Sequence, residues 1–222
     1  MTESNKDSND VLAHLRSATR ALHTQLDTGL PLAKNNATLA DYGTHLRLVH
    51  AWLQQISPSL EAYDDAPAHF GAESNRTSTA LLVRDLAHAG LAPARPTAVA
   101  TAVATSLATS AASVHGLAQP AFRWGMQYVI EGSYMGAGFL HRRYAAVFAD
   151  CPMFFFSHVG AASQTRWPAF GRAVRAAVTD AADIDLAAQG ACYAFHCFMQ
   201  LTPATADHTQ TEDGHELARH DA

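Results

Sequence analysis

The sequence has little of what marks several classes of protein. It contains only three cysteines, none in a Cys-x-x-Cys pattern, and their odd number indicates a reducing compartment. Charged residues make up 16 % of the chain and no basic stripe is present, which argues against a nucleic-acid partner. No apolar run approaches the ~20 residues that span a bilayer, and the opening stretch MTESNKDSND has no apolar segment typical of a signal peptide. We therefore expect a cytoplasmic protein without nucleic-acid or membrane partners.

The pattern that is present is helical. Hydrophobic residues form 48 % of 222 residues, and they recur with a helical period in nearly every segment. This predicts one all-α domain of seven or eight helices over residues 10–202, with residues 1–9 and 203–222 disordered. The predicted helices run from near Asn9 or Asp10 to Gly29, from after Thr38 to Pro58, from Thr77 to His88, from Thr97 to His115, onward from Pro120, from Gln164 to Thr179 and from Ile184 to Leu201, with a linker at Ala92–Pro96 and a loop at Cys151–Ser163.

One predicted helix, AFRWGMQYVIEGSYMGAGFLHRRYAAVF, is unusually rich in glycine. It contains Gly125, Gly132, Gly136 and Gly138, and each glycine inside a helix costs about 1 kcal/mol relative to alanine. At about 100° per residue, the first three lie along one stripe of the helix and Gly138 lies on the far side.

Two explanations of the stripe remain open from spacing alone. The glycines allow another helix to approach closely, or they allow a flat ligand to lie against bare backbone. Tyr128 and Ser133 flank the stripe, and a stripe built only for helix packing has no need of these polar side chains. The last two glycines also favour a local kink.

The chain has thirteen histidines, so each one alone is a weak candidate for a ligand. We expect His45, His69 and His88 to be solvated. His23, in LRSATRALHTQLD, lies at the edge of the apolar face of the first helix, and Arg16 lies on the same edge about 10 Å away. His23 is either a hydrogen-bonded structural histidine or an iron ligand whose neighbouring arginine meets a carboxylate, and haem combines an iron with carboxylates at one edge.

These segments resemble a known family. LRSATRALHTQLD resembles the proximal helix of haem oxygenases, and YVIEGSYMGAGFL resembles their distal helix, in particular the bacterial iron-acquisition type with E-G-S-x-L-G-A-A-F-L. Met135 replaces the usual leucine and Gly138 an alanine. Further similarity at ADYGTHLRLVH, WPAF and QGACYAFHCFMQ extends the resemblance over most of residues 10–201 in family order.

The resemblance implies a single-domain helical bundle that holds haem between the first, proximal helix and a kinked, glycine-rich distal helix. It also assigns roles by position: iron ligation to His23, the distal wall to Gly132, Ser133 and Gly136, and contact with the propionates to Arg16 and Tyr128. A further basic contact from a late helix falls on Arg172 or Arg175, which the sequence leaves open together with Lys34.

The implied activity is oxidative cleavage of haem b, as both substrate and cofactor, to biliverdin, carbon monoxide and ferrous iron. The reaction needs O2 and an external electron donor, a ferredoxin or a flavoprotein reductase. Arg16 with Tyr128 favours cleavage at the alpha meso carbon, while iron acquisition and bilin supply stay open as purposes.

Two other functions remain open. One is a non-catalytic haem carrier or sensor with the same fold, which needs the same His23. The other is a thiaminase-like hydrolase, which depends on a cysteine nucleophile and carboxylates. Cys192 and Cys197 lie on an apolar helix without an evident acidic partner, so we expect both to be buried structural cysteines.

Overall fold

A computed structural model describes residues 10–88 and 115–202. Within these ranges every regular element is a helix, which confirms the prediction of an all-α fold. The elements are α1 (Val11–Gly29), a short 3₁₀ helix (Pro31–Ala33), α2 (Leu39–Glu61), α3 (Ala66–Leu86), α4 (Pro120–Tyr144), α5 (Phe154–Ala177) and α6 (Ala181–Met199).

Some sequence predictions fall where the structure does not test them. The linker Ala92–Pro96 and nearly all of the helix Thr97–His115 lie outside the described residues. The domain limits at residues 10 and 202 and the disorder beyond them stay predictions, as does the kink in α4.

Local capping residues explain the starts of the correctly predicted helices. The Asp10 carboxylate accepts a hydrogen bond from the Leu12 N–H at 3.3 Å at the start of α1. At the start of α2, Thr38 and Asp41 form a reciprocal capping box, which satisfies two otherwise unpaired N–H groups. Pro120 begins α4, a position where a missing N–H costs nothing.

The predicted end of α2 at Pro58 is wrong, because the helix continues to Glu61. Proline removes a hydrogen-bond donor from a helix but leaves its acceptor in place. The Pro58 carbonyl accepts a hydrogen bond from the Ala62 N–H at 3.0 Å, so the last turn still forms.

The predicted start of α3 at Thr77 is also wrong, because the helix begins at Ala66. Asp65 caps it by accepting a hydrogen bond from the Ala68 N–H at 3.3 Å. The face that this early part buries consists of small or polar residues, among them Gly71 and Asn75. Hydrophobic periodicity could not detect a face of that composition.

The predicted loop at Cys151–Ser163 is mostly helix, since α5 begins at Phe154. Its cap comes from α3 rather than from the adjacent chain. The buried carboxylate of Asp85 accepts hydrogen bonds from the N–H groups of Phe154 and Phe155, both at 2.9 Å, and from the Tyr42 hydroxyl at 3.0 Å.

The core lies around α4, which packs against α5 and α6, while α1 packs on α6. The Trp52 indole N–H donates to the Ala194 carbonyl at 2.9 Å and so joins α2 to α6. In the described part of the chain, no helix combines the length and the apolar character needed to cross a membrane.

The prediction that His45 is solvated is wrong. Only 5 % of its surface is exposed, its ring packs edge-on to Phe156 with centroids 5.6 Å apart, and burial lowers its pKa to about 4. His45 lies among the apolar positions of α2, whereas His69 is exposed as expected and His88 is half-buried.

Candidate functional site

Helix α4 lies near α1 and the segment that follows α1 at two places. The side chain of Thr19 in α1 lies close enough to Tyr128 in α4 to counter part of the rise that burial causes in the pKa of the phenol. Beyond the end of α1, the Tyr144 hydroxyl donates to the carbonyls of Leu32 at 2.8 Å and Lys34 at 3.0 Å. The stretches between these two contacts carry His23 on α1 and Gly132 to Gly136 on α4, and we call the space they border the α1/α4 slot.

The four glycines of α4 differ in what surrounds them. A Cβ added at Gly132 or Gly136 would meet no heavy atom within 4 Å among the described residues. A Cβ at Gly125 would lie 1.8 Å from the carbonyl oxygen of Ala187 in α6, and one at Gly138 would lie 3.0 Å from the Cα of a glycine in α5.

The glycine stripe predicted from the sequence is therefore divided. Its first member, Gly125, serves close packing of α4 on α6, so the packing explanation is correct there. At Gly132 and Gly136 the surface of α4 is not covered by any described residue. The apolar side chains of Met135 and Phe139 continue this open surface, since they are 43 % and 57 % exposed.

Ser133 lies beside the open glycines and is half-buried. Its hydroxyl donates to the Ile130 carbonyl at 2.7 Å, one turn back in the same helix. Because the hydroxyl proton is donated to the backbone, the Ser133 oxygen is left to act as a hydrogen-bond acceptor.

His23 is on the surface of α1, with 65 % of its side chain exposed. Its Nδ1 lies 2.9 Å from a carboxylate oxygen of Asp27, one turn further along α1, and its ring lies 6.0 Å from that of Phe195 in α6. A carboxylate that accepts the Nδ1 proton fixes the tautomer and leaves the lone pair on Nε2, the arrangement of a metal-binding imidazole. Sequence reasoning missed Asp27, although its spacing of four residues from His23 was visible.

Arg16 and Tyr128 both lie toward the end of the α1/α4 slot marked by Thr19. Burial raises the pKa of Tyr128, while the Thr19 side chain and the charge of Arg16 act in the opposite direction. The tyrosine is half-buried and the arginine is exposed. The two residues that the sequence predicted for one end of the site thus lie near enough for the charge of one to act on the other, and the neighbouring Thr19 was missed.

The basic residues that the sequence left open have different surroundings. The Lys34 ammonium lies 2.9 Å from the Asp41 carboxylate. The Arg175 guanidinium donates to both carboxylate oxygens of Asp10, at 2.8 and 3.0 Å, which ties α5 to the cap of α1. Arg172 is exposed.

The cysteines of α6 do not have the properties of nucleophiles. Cys197 is buried as expected, but Cys192 is only half-buried, with its sulfur 3.8 Å from the Ala18 carbonyl oxygen. Burial raises the pKa of both thiols, whereas a reactive cysteine needs a lowered pKa. This argues against a hydrolase that uses either one.

Comparisons with known proteins give one finding. The family model described as Heme oxygenase matches residues 9–204, which include α1 to α6 and both sides of the α1/α4 slot. No curated protein and no solved structure matches the chain. Since the family model covers most of the sequence, the chain belongs to the haem oxygenase family.

Proposed function

We propose that this protein cleaves haem to biliverdin, carbon monoxide and ferrous iron, using O2 and electrons from an external donor. The observation that carries the proposal is the pair of open glycines, Gly132 and Gly136. The other two glycines of α4 pack against the backbone of neighbouring helices. An open wall of bare backbone on α4, with an exposed histidine on α1, fits a flat ring with a metal at its centre.

The residues of the α1/α4 slot fit haem in three respects. Positions 132 and 136 leave room for the face of the ring. His23 offers one imidazole, which is a common axial ligand of haem iron. Arg16 and Tyr128 lie together at one end, where a guanidinium and a phenol can hold the propionates, since guanidinium groups match carboxylates in geometry and charge. When bound, haem supplies the redox chemistry.

On the α1 side, the chain holds and orients the substrate. Asp27 accepts the Nδ1 proton of His23 and leaves the Nε2 lone pair free to hold an iron, while the Phe195 ring of α6 lies beside the imidazole. Such a carboxylate partner also raises the basicity of a ligating histidine.

On the α4 side, the chain shapes the space in which oxygen reacts. The missing side chains at Gly132 and Gly136 would let a bound ring lie against backbone and would leave room for oxygen and ordered water. Ser133 would accept a hydrogen bond from such a water, because its own proton is donated to Ile130, and a water held by two or more polar groups can relay protons.

We propose a ferredoxin or flavoprotein reductase as donor, since the proposed reaction consumes electrons that haem alone does not provide. The three cysteines Cys151, Cys192 and Cys197 are free thiols, which supports a reducing compartment and a cytoplasmic location.

The test is titration of the protein with haemin, followed by addition of reductant in air. We expect a sharp Soret band, then its loss as a bilin absorption appears. A stable Soret band without bilin would identify a carrier or sensor, and the absence of a Soret band would contradict haem binding altogether.

His23→Ala should abolish turnover, and added imidazole should partly restore it. His14→Ala is the matched control, because His14 lies on the same helix and also pairs with a carboxylate, that of Asp185 at 3.3 Å. Undiminished bilin formation by His23→Ala without imidazole would contradict the assignment of the ligand.

A further inference from the structure

An ion pair with a buried carboxylate and a partly exposed guanidinium is formed by the residue that precedes the open glycine wall. Glu131, the residue before Gly132, is 1 % exposed. Its carboxylate accepts hydrogen bonds from the Arg166 guanidinium of α5, with Nε to Oε2 at 3.2 Å and Nη2 to Oε1. The Gln127 amide, one turn earlier in α4, donates to Oε1 at 2.9 Å.

The same guanidinium reaches a third helix. Nη2 of Arg166 also donates to the Phe70 carbonyl of α3 at 3.3 Å, and the guanidinium carbon lies 5.0 Å from the centre of the Phe70 ring. Helices α3, α4 and α5 are therefore joined at the level of Glu131.

This pair is poorly explained as a source of stability alone. Removing two charges from water is costly, and apolar residues of similar size often stabilise a protein as much or more. A guanidinium that meets a carboxylate with two hydrogen bonds, however, has few alternative geometries. The pair is therefore well suited to fix the position of the helix that carries it.

A second contact between α4 and α5 completes the arrangement. Gly138 and Gly160 pack so closely that a Cβ added at Gly138 would lie 3.0 Å from the Gly160 Cα. On α4 this contact is about 10 Å beyond Glu131, and on α5 it is about 9 Å before Arg166, as expected for helices running in opposite directions. Two fixed points on one helix define both its axial position and its rotation.

We propose that Glu131 and Arg166 are positioning residues that set the rotation of α4 and thereby the direction of the Gly132 and Gly136 wall. Neighbouring residues of a helix are separated by about 100° around its axis, so an anchor at Glu131 directly determines where Gly132 points. The consequence for haem rests on the function proposed above, whereas the anchoring of α4 is independent of it.

The test compares Glu131→Gln with a control that breaks the other buried arginine pair of α4. That control is Asp65→Asn, since Asp65 accepts a hydrogen bond from Arg123, which is 2 % exposed and lies near the start of the helix. Amide hydrogen exchange of residues 132–137 is measured in the haem-free protein, and the C–O stretching band is measured in the carbon monoxide complex of the haem-loaded protein.

We expect Glu131→Gln to raise the exchange rates of these amides at least tenfold and to broaden or split the C–O band, because the wall adopts more than one orientation. Asp65→Asn should leave both at wild-type values. If Glu131→Gln does not fold, Arg166→Lys, which keeps the charge and loses the two-pronged geometry, should give the same changes.

Wild-type exchange rates together with a single wild-type C–O band in Glu131→Gln would overturn the proposal, as would equal changes in Asp65→Asn. If the wild-type protein forms no haem complex, the proposed function fails, and the exchange rates of the haem-free variants still decide whether the pair positions α4.

Discussion

The four glycines of α4 form two pairs that serve different needs. Gly125 and Gly138 let the backbones of α6 and α5 approach α4, and any side chain there would collide with main-chain atoms. Gly132 and Gly136 face no described atom within 4 Å. The difference teaches that close packing explains only part of a glycine-rich helix, because two of its four glycines pack against no described atom.

The packed pair is part of a reciprocal arrangement of backbones. Gly190 of α6 mirrors Gly125, since its added Cβ would lie 1.9 Å from the Phe122 carbonyl oxygen of α4. Each helix thus presents a glycine where the other presents main chain. The open pair has no such partner among residues 10–88 and 115–202, and so its missing side chains leave a surface.

The largest effect should come from Gly125→Ala. The new Cβ would lie 1.8 Å from the Ala187 oxygen, which forces α4 and α6 apart. Overpacking typically costs 1–3 kcal/mol, and a backbone contact this close should lower the free energy of unfolding by at least about 3 kcal/mol. Urea denaturation of the haem-free protein measures it, with Gly132→Ala as control. A loss below about 1 kcal/mol, equal to that of the control, would contradict the packing role.

The packed core should also show a pH dependence. Burial lowers the pKa of His45 from 6.5 to about 4, so the unfolded chain binds its proton at a higher pH than the folded protein does. The stability this histidine contributes is complete above pH 6.5 and is lost as the pH falls toward 4.

We therefore expect His45→Leu to remove part of the acid sensitivity. Between pH 7.5 and pH 5, the wild type should lose about 1–2 kcal/mol more of its free energy of unfolding than the variant does. Thermal melting at both pH values measures this, and parallel pH profiles of the two proteins would show that His45 is not responsible.

Several helix starts could be predicted from the sequence, and the others could not for physical reasons. Local chemistry predicted the starts of α1, α2 and α4, because Asp10, Thr38 and Pro120 act on adjacent backbone. The start of α5 was missed because its cap, Asp85, is distant in the chain. The start of α3 was missed because that helix buries small and polar residues.

In the candidate site, too, local motifs were predictable and contacts between distant helices were not. His23, Arg16 and Tyr128 were predicted from motifs that carry side-chain chemistry, and their roles stay predictions. The sequence could not show that Gly125 packs against α6 while Gly132 does not. All members of the stripe share one helical face, and only the position of α6 distinguishes them.

A smaller effect is expected at the end of the α1/α4 slot. Arg16→Glu places a like charge near a propionate. It should therefore weaken haemin binding about tenfold and broaden the mixture of biliverdin isomers. The free energy of unfolding should change by less than about 0.5 kcal/mol, as is usual at exposed positions. Arg20→Glu, an exposed change of the same charge on α1, is the control. Equal affinity and isomer ratio in both variants would place Arg16 outside the site.

The most direct test of the account is Gly136→Ala, where the smallest change in stability is expected. The added methyl meets no described atom, and alanine favours a helix over glycine by up to about 1 kcal/mol. The haem-free variant should therefore melt at or slightly above the wild-type temperature. Bound haem, however, should meet the methyl, so ring opening should be impaired.

The measurement is thermal melting of the haem-free protein beside the single-turnover yield of biliverdin, for wild type and Gly136→Ala. The account predicts an unchanged or raised melting temperature with a reduced yield. A lowered melting temperature with a wild-type yield from the folded fraction would show that Gly136 serves packing, and it would contradict the division of α4 into a packed and an open part.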